Sequence, residues 1–152
     1  MALLGLDGVL YFGTTYDEAT VPLAWDEITN VRDLSLNLEK SDADVTTRGA
    51  NGWKQIITAL KDGTVEFEMI YDKTDTVGFA VLQAAFFAGT QVWCQVMDSV
   101  KGATVPDADG LQALMEVASI GQTQNLEDAQ KVSISLKPAH APNNPPEWIT
   151  AQ

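Results

Sequence analysis

Few residues of this chain are of types that make or break bonds, and their spacing argues against catalysis. Nucleophilic chemistry needs a Ser, Thr or Cys beside a base that a third group holds in place. The single histidine, His140, lies in a proline-rich stretch. The single cysteine, Cys94, sits among Val92, Trp93 and Val96, where a thiol is expected to be an inert core group. Glu66 and Glu68 share one face of a strand pattern, as two acid–base carboxylates would, but a solvent-facing strand side has the same spacing. Asp107-Ala108-Asp109-Gly110, with Glu116 six residues after the glycine, matches the second half of an EF-hand register. The first ligand position would be Val105 and no helical pattern flanks the run, so an acidic turn before a strand is expected instead. One Cys and one His cannot assemble a structural zinc site within one chain. Neither G-x-G-x-x-G nor GK[ST] occurs, and we expect no catalytic residue, cofactor or metal.

The elements that would position any site must come from one domain, since 152 residues and 16.4 kDa suffice for a single core. Apolar residues make up 45% and charged residues 20%, a globular rather than a disordered composition. Nine Lys+Arg against 21 Asp+Glu give a net charge of −12. Gripping a phosphate backbone or an anionic membrane requires cations that displace counterions, so neither partner is expected. A lone cysteine forms no intrachain disulfide, and Met1 to Asp7 carries no basic residue of a signal peptide. The longest apolar run, Val77 to Ala88, is 12 residues and too short to span a bilayer. A soluble protein of a reducing compartment is the expectation.

Leu34, Leu36 and Leu38 alternate with Asp33, Ser35, Asn37 and Glu39, the period of a half-buried strand. Residues 56–60 and 64–71 read as two strands joined by an Asp-Gly turn across Lys61-Asp62-Gly63. In the second, Val65, Phe67, Met69 and Tyr71 share a face opposite Glu66 and Glu68. Further strands are predicted over 91–97, 111–120 and 130–137, the last with Val132, Ile134 and Leu136 inward. Six or seven such strands make an antiparallel β-sandwich or barrel. One helix is predicted over about 75–88, with Thr74 or Asp75 as N-cap and Gly89 at its end. Its only clearly polar residue is Gln83, and an all-apolar helix must be covered on several sides, which points to a neighbouring subunit. Residues 41–52 read as a long polar loop, 1–24 as an N-terminal arm or first strand, 25–137 as the β core and 138–152 as a Pro-rich C-terminal arm.

Four runs carry a resemblance: Trp25 to Leu36 (WDEITNVRDLSL), Ala43 to Gly49 (ADVTTRG), Gly52-Trp53, and Leu60 to Met69 (LKDGTVEFEM). Together with the closing strand Val132 to Pro138 and its Pro-rich sequel, the chain resembles the tail tube (major tail) proteins of long-tailed bacteriophages and related prophage elements. Those are related in turn to the tubes of type VI secretion and contractile injection systems. The resemblance implies a β-sandwich or barrel with one flanking helix, self-assembling into hexameric rings that stack as a hollow tube for DNA ejection. It implies a virion tail protein assembled in the host bacterial cytoplasm. Its partners would be other copies of itself, tape measure protein and tail terminator or baseplate proteins, with DNA only as transiting cargo.

Inter-subunit and ring-stacking contacts are then expected at Asp44, Thr46, Thr47, Arg48, Trp53, Phe79, Phe86 and Trp148. Asp44 and Arg48 are four apart and of opposite charge, and Trp53 reads as a core or hinge aromatic anchoring the loop base. An acidic wall repels phosphate, so the strand carboxylates Asp33, Glu39, Glu66 and Glu68 are the candidates for the lumen. The competing expectations are a subunit of a contractile injection tube and a stand-alone ligand-binding β-sandwich, which would stay monomeric.

Overall fold

Period-two alternation decides most of the backbone. The computed structural model describes residues 8–13, 21–100, 108–139, 141 and 143–151. Among these the chain forms β1 (Val9–Gly13), β2 (Trp25–Ile28), β3 (Val31–Asp44), β4 (Ile56–Ile70), α1 (Phe79–Ala88), β5 (Gln91–Met97), β6 (Ala108–Thr123), β7 (Lys131–Pro138) and β8 (Glu147–Ala151). The pairings are all antiparallel and run in the order β2-β1-β5-β6-β7-β4-β3. The long strand β6 pairs with β5 along one edge, and along the other with β7 and then β8, so β8 continues the line of β7.

The two end strands, β2 and β3, are separated in sequence by only residues 29–30, so the sheet must fold over on itself. Asn30 holds the junction: its carbonyl accepts from the Ile70 amide at 3.0 Å and its side-chain Nδ2 donates to the Ile70 carbonyl at 2.8 Å. Across the fold Phe12 of β1 meets Phe67 of β4, ring centroids 6.4 Å apart. The core gathers Leu10 and Phe12, the inward faces of β4 and β7 (Val65, Phe67, Met69; Val132, Ile134, Leu136) and Leu82 of α1. Each such side chain removed from water contributes roughly 1.5–3 kcal/mol. The result is a mainly β, sandwich-like folded sheet with one helix; β2 and β3 form no ladder that would close it into a barrel.

Several expectations need correction. Residues 61–63 are not a turn but the middle of β4, where Leu38, Glu39 and Lys40 of β3 pair with Gly63, Asp62 and Lys61. Leu38 leans over Gly63, and its Cδ2 stands 3.1 Å from where a Cβ would project. An Asp-Gly pair turns the chain only if its two flanks pair with each other, and here both pair with β3. The reversal lies instead at Arg48–Ala50, a single 3-10 turn, followed by Asn51 (φ 53°) and Gly52 (φ 85°) in the left-handed region. The long loop is therefore shorter than expected at its start, since residues 41–44 belong to β3. Leu38, expected in the core, is 56% exposed because it stands where the hairpin has already left the body.

The helix starts at Phe79 rather than near 75. Asp75 accepts from the amides of Val77, Gly78 and Phe79, which caps a turn ahead of the helix and delays its first residue. Gly89 ends it in the left-handed region as expected. Residues 9–13 of the N-terminal stretch are a strand buried on both faces. The Pro-rich C-terminal segment folds back as β8 instead of extending freely; residues 1–7, 14–20, 101–107, 140, 142 and 152 lie outside the described residues.

Candidate functional site

Among the described residues, three surfaces remain uncovered by the chain's own packing. The first is the far half of the β3–β4 hairpin. Beyond the last β4–β7 pair, Val65↔Leu136, nine more residues at roughly 3.3 Å each carry Ile56 about 30 Å outward. Along this projection Leu38, Trp53, Ile56, Ile57 and Leu60 are more than half exposed. Trp53, expected as a core or hinge anchor, is 76% exposed, because the loop base it would have anchored is a continuous ladder. The tip is held by local bonds. The Thr46 amide donates to Asp44 Oδ1 at 2.8 Å, and the Gln55 amide donates to Thr46 Oγ1 at 2.8 Å. Hydrogen bonding from the Thr46 side chain and amide holds the Asp44 carboxyl below its ordinary value of 3.8. Within the chain Asp44 engages Thr46. Thr47 precedes the 3-10 turn and its carbonyl accepts from the Ala50 amide at 3.0 Å; Arg48 opens that turn, exposed.

The second surface is the outer face of α1. Leu82 and Ala85 point into the core, while Phe87 is 78% and Phe86 44% exposed, their rings edge to face at 5.5 Å. Thr76, Ala80, Val81, Ala84, Ala88 and Thr90 line a shallow groove of ≈ 290 Å³ beside them. Phe79, grouped with the contact residues from sequence, is half-buried and packs edge-on against Tyr71 of its own chain at 5.5 Å. Phe87, not singled out from sequence, is the more exposed aromatic. Periodicity could not rank it, since every side of this helix is apolar.

The third surface is a polar trough of ≈ 460 Å³ on the sheet face opposite the core. It is built from two cross-strand rows. Ser35, Glu66, Ser135 and Ser119 stand abreast, and beside them Arg32, Glu68, Ser133 and Gly121. Asp33 also lines it, from a bulge that sets Asp33 (φ 46°) and Leu34 opposite Phe67. Lys131 lies 3.8 Å from Glu68 and 3.0 Å from Asp128, whose carboxyl it lowers chiefly by hydrogen bonding. Glu66 has no ion-pair partner among the described residues. Glu39 continues the same face outward and stands directly opposite Asp62. Asp62 was missed in the sequence because it was assigned to a turn. Like charges directly opposite destabilise a ladder, so the Glu39–Asp62 pair costs some stability and adds negative charge to this face.

Trp148 of β8, opposite Leu111, is 62% exposed at a distance in sequence from these surfaces. Burial pushes the Cys94 thiol up to about 12, which removes it as a nucleophile. The EF-hand register fails on geometry: residues 109–116 lie in the extended strand β6, where alternate side chains point to opposite faces and cannot encircle a cation. Its remaining positions, Val105 and Asp107, are outside the described residues.

No family model and no curated protein matches the sequence. The fold, however, is that of known tube proteins. The structure of the SPP1 tail tube superposes with a TM-score of 0.71 at 16% identity, covering 98% of this chain and 81% of that one. The tail of an empty gene transfer agent particle, refined with six-fold helical symmetry, gives 0.70 at 15%, covering 99% and 100%. The baseplate of the anti-feeding prophage gives 0.63 at 9%, covering 100% and 98%.

Proposed function

We propose that this chain is a structural subunit of a phage-type tail tube, with no catalytic role. Copies assemble into six-membered rings, the rings stack, and the Glu66 face of the sheet lines a channel through which DNA passes. The observation that carries this reading is the end-to-end likeness of the fold to a subunit of a tail of six-fold symmetry. The three surfaces support it. A projecting hairpin and an uncovered apolar helix face suit a chain that other copies must complete. Serines, a glycine and the unpaired Glu66 make up most of this face, and its cations Arg32 and Lys131 stand beside Glu68, so phosphates meet little free positive charge there.

The reading places the protein in the virion tail, assembled in the host bacterial cytoplasm. Its further partners are tape measure protein and tail terminator or baseplate proteins, and DNA is only cargo. A second reading, a component of a contractile injection apparatus, is favoured by the full-length likeness to the anti-feeding prophage baseplate.

Sedimentation over a concentration series tests the proposal. The wild-type chain is expected to pass from 16.4 kDa subunits to six-subunit species and then to longer assemblies. Arg48→Glu, at the exposed hairpin tip, is expected to shorten those assemblies. A wild-type chain that stays at 16.4 kDa at every concentration contradicts the reading.

A further inference from the structure

Three Asx-Gly pairs stand among the described residues: Asn51-Gly52, Asp62-Gly63 and Asp109-Gly110. Such a pair is chemically labile, because no Cβ screens the glycine nitrogen as it attacks the side-chain carbonyl before it. The local fold separates the three. Asp62-Gly63 lies in the β3–β4 ladder opposite Glu39 and Leu38, and the Gly63 amide is occupied, donating to Asp62 Oδ1 at 2.8 Å. Asp109-Gly110 is clamped between β5 and β8, with Gly110 opposite both Met97 and Ile149. Neither pair is free to rotate, and a carboxylate is a poorer electrophile than a carboxamide.

Asn51-Gly52 is the opposite case. Both residues are exposed at the end of the projecting hairpin, beyond the last ladder pair, Asp44↔Ile56. Among the described residues the Asn51 carboxamide makes no hydrogen bond and the Gly52 amide donates none. Nothing lies within 4 Å of where a Gly52 Cβ would project, so the space beside the nitrogen is open. Ring closure needs rotation about the Asn51 Cα–C bond away from its ψ of 39°. One backbone bond resists that rotation, from the Trp53 amide to the Ala50 carbonyl at 3.1 Å.

We propose that Asn51 is a self-modification site, converting to aspartate and isoaspartate through a cyclic imide with water as the only co-reactant. The Gly52 nitrogen gives its proton to solvent and bonds to Asn51 Cγ. The Cγ–Nδ2 bond breaks, and the departing nitrogen takes up a proton and leaves as ammonia. Water then adds to either carbonyl of the imide, and the ring nitrogen recovers a proton as its bond to that carbon breaks. Opening at Cγ gives aspartate; opening at the backbone carbonyl gives isoaspartate, with the chain now running through Cγ. Nothing is oxidised or reduced.

The product matters at this place. Residues 45–61 hold Arg48, Lys54 and Lys61 and no Asp or Glu, so conversion puts the first carboxylate into that segment. The isoaspartate route also lengthens the backbone of a turn whose φ of 53° at Asn51 suits few side chains. Each chain thus carries a tip whose charge and shape change once with its time in water, and the change needs no second copy.

Peptide mapping tests it. The purified chain is held in warm, mildly alkaline buffer, sampled over time and digested with trypsin, which releases Gly49 to Lys54. Mass spectrometry reads the conversion of amide to acid, and chromatography separates the two acids, with the Asn51→Asp chain as the aspartate standard. Asn125 is the internal control, since it is also exposed beside a turn but is followed by Leu126. Asn51 is expected to convert first, with isoaspartate the larger product. Its rate should lie about fivefold below that of the excised peptide, the cost of opening one hydrogen bond. Asn51 intact after the excised peptide has converted overturns the proposal, as does conversion of Asn125 at the same pace. Aspartate without isoaspartate means direct hydrolysis and overturns the imide route. Asn51→Gln, which cannot close the same ring, should leave the segment unchanged, and an equal conversion there also overturns the site.

Discussion

Thr46 shows how a single hydroxyl shapes the projecting tip. Its oxygen accepts from the Gln55 amide while its own amide caps Asp44, so it links both arms of the hairpin where no core supports them. A net hydrogen bond of this kind contributes about 1 kcal/mol. Thr46→Ala is therefore expected to speed hydrogen exchange at the Gln55 amide about fivefold with little change in global unfolding. Unchanged exchange would remove Thr46 from that role. Hydrogen bonding from the Thr46 side chain and amide favours the ionised Asp44, and bonds from Thr74 do so for Asp72, so both carboxyls lie below 3.8. A lowered folded value means the contribution is present above the unfolded value and disappears as pH falls through the folded one. A carboxyl-carbon NMR titration should find Asp44 with a midpoint under 3.8. A midpoint at or above that value would contradict the tip geometry.

At the scale of elements, α1 joins the core through Leu82 and Ala85 and offers its other sides outward. Leu82→Ala is expected to cost about 2–5 kcal/mol in chemical denaturation, because it empties a fully buried site. Gly110 is a tighter constraint: a Cβ there would meet the Val96 carbonyl oxygen and stand 2.8 Å from Met97 Cα. Gly110→Ala should therefore separate β5 from β6 and leave little folded protein, read by circular dichroism; a near-native melting curve would contradict the register.

These elements differed in how legible they were. The alternation of Val65, Phe67, Met69 and of Val132, Ile134, Leu136 placed β4 and β7 and their inward faces correctly, because one buried face forces period two. The β3–β4 reversal was misplaced, since Asp62-Gly63 and Asn51-Gly52 are both turn signals and only long-range pairing with β3 chooses between them. β1, buried on both faces, and β8, held by β6 and not by its own pattern, left no alternation to read. Of the candidate site, the outward carboxylates were legible from the same period. The exposure of Trp53 was not, because nothing local says that a hairpin leaves the body.

At the scale of the whole molecule, the folded sheet separates two tasks. Its inner face holds the core with α1 against it, and the opposite face of β3, β4, β7 and β6 presents the serine and carboxylate rows. In a ring, Glu66 is repeated by symmetry into a girdle of charge with no ion-pair partner among the described residues. Glu66→Lys is expected to leave assembly intact and to slow DNA release from particles built with it, followed by a fluorescent DNA dye. An unchanged release rate would take Glu66 out of the channel wall.

The most direct test is cryo-electron microscopy of the purified chain at high concentration. The account predicts hollow tubes of stacked six-fold rings, with Ser35, Glu66, Ser135 and Ser119 facing the axis and each hairpin leaving its own ring subunit to rest on another copy. Monomers alone, solid fibres, or tubes whose Glu66 face points outward would contradict it.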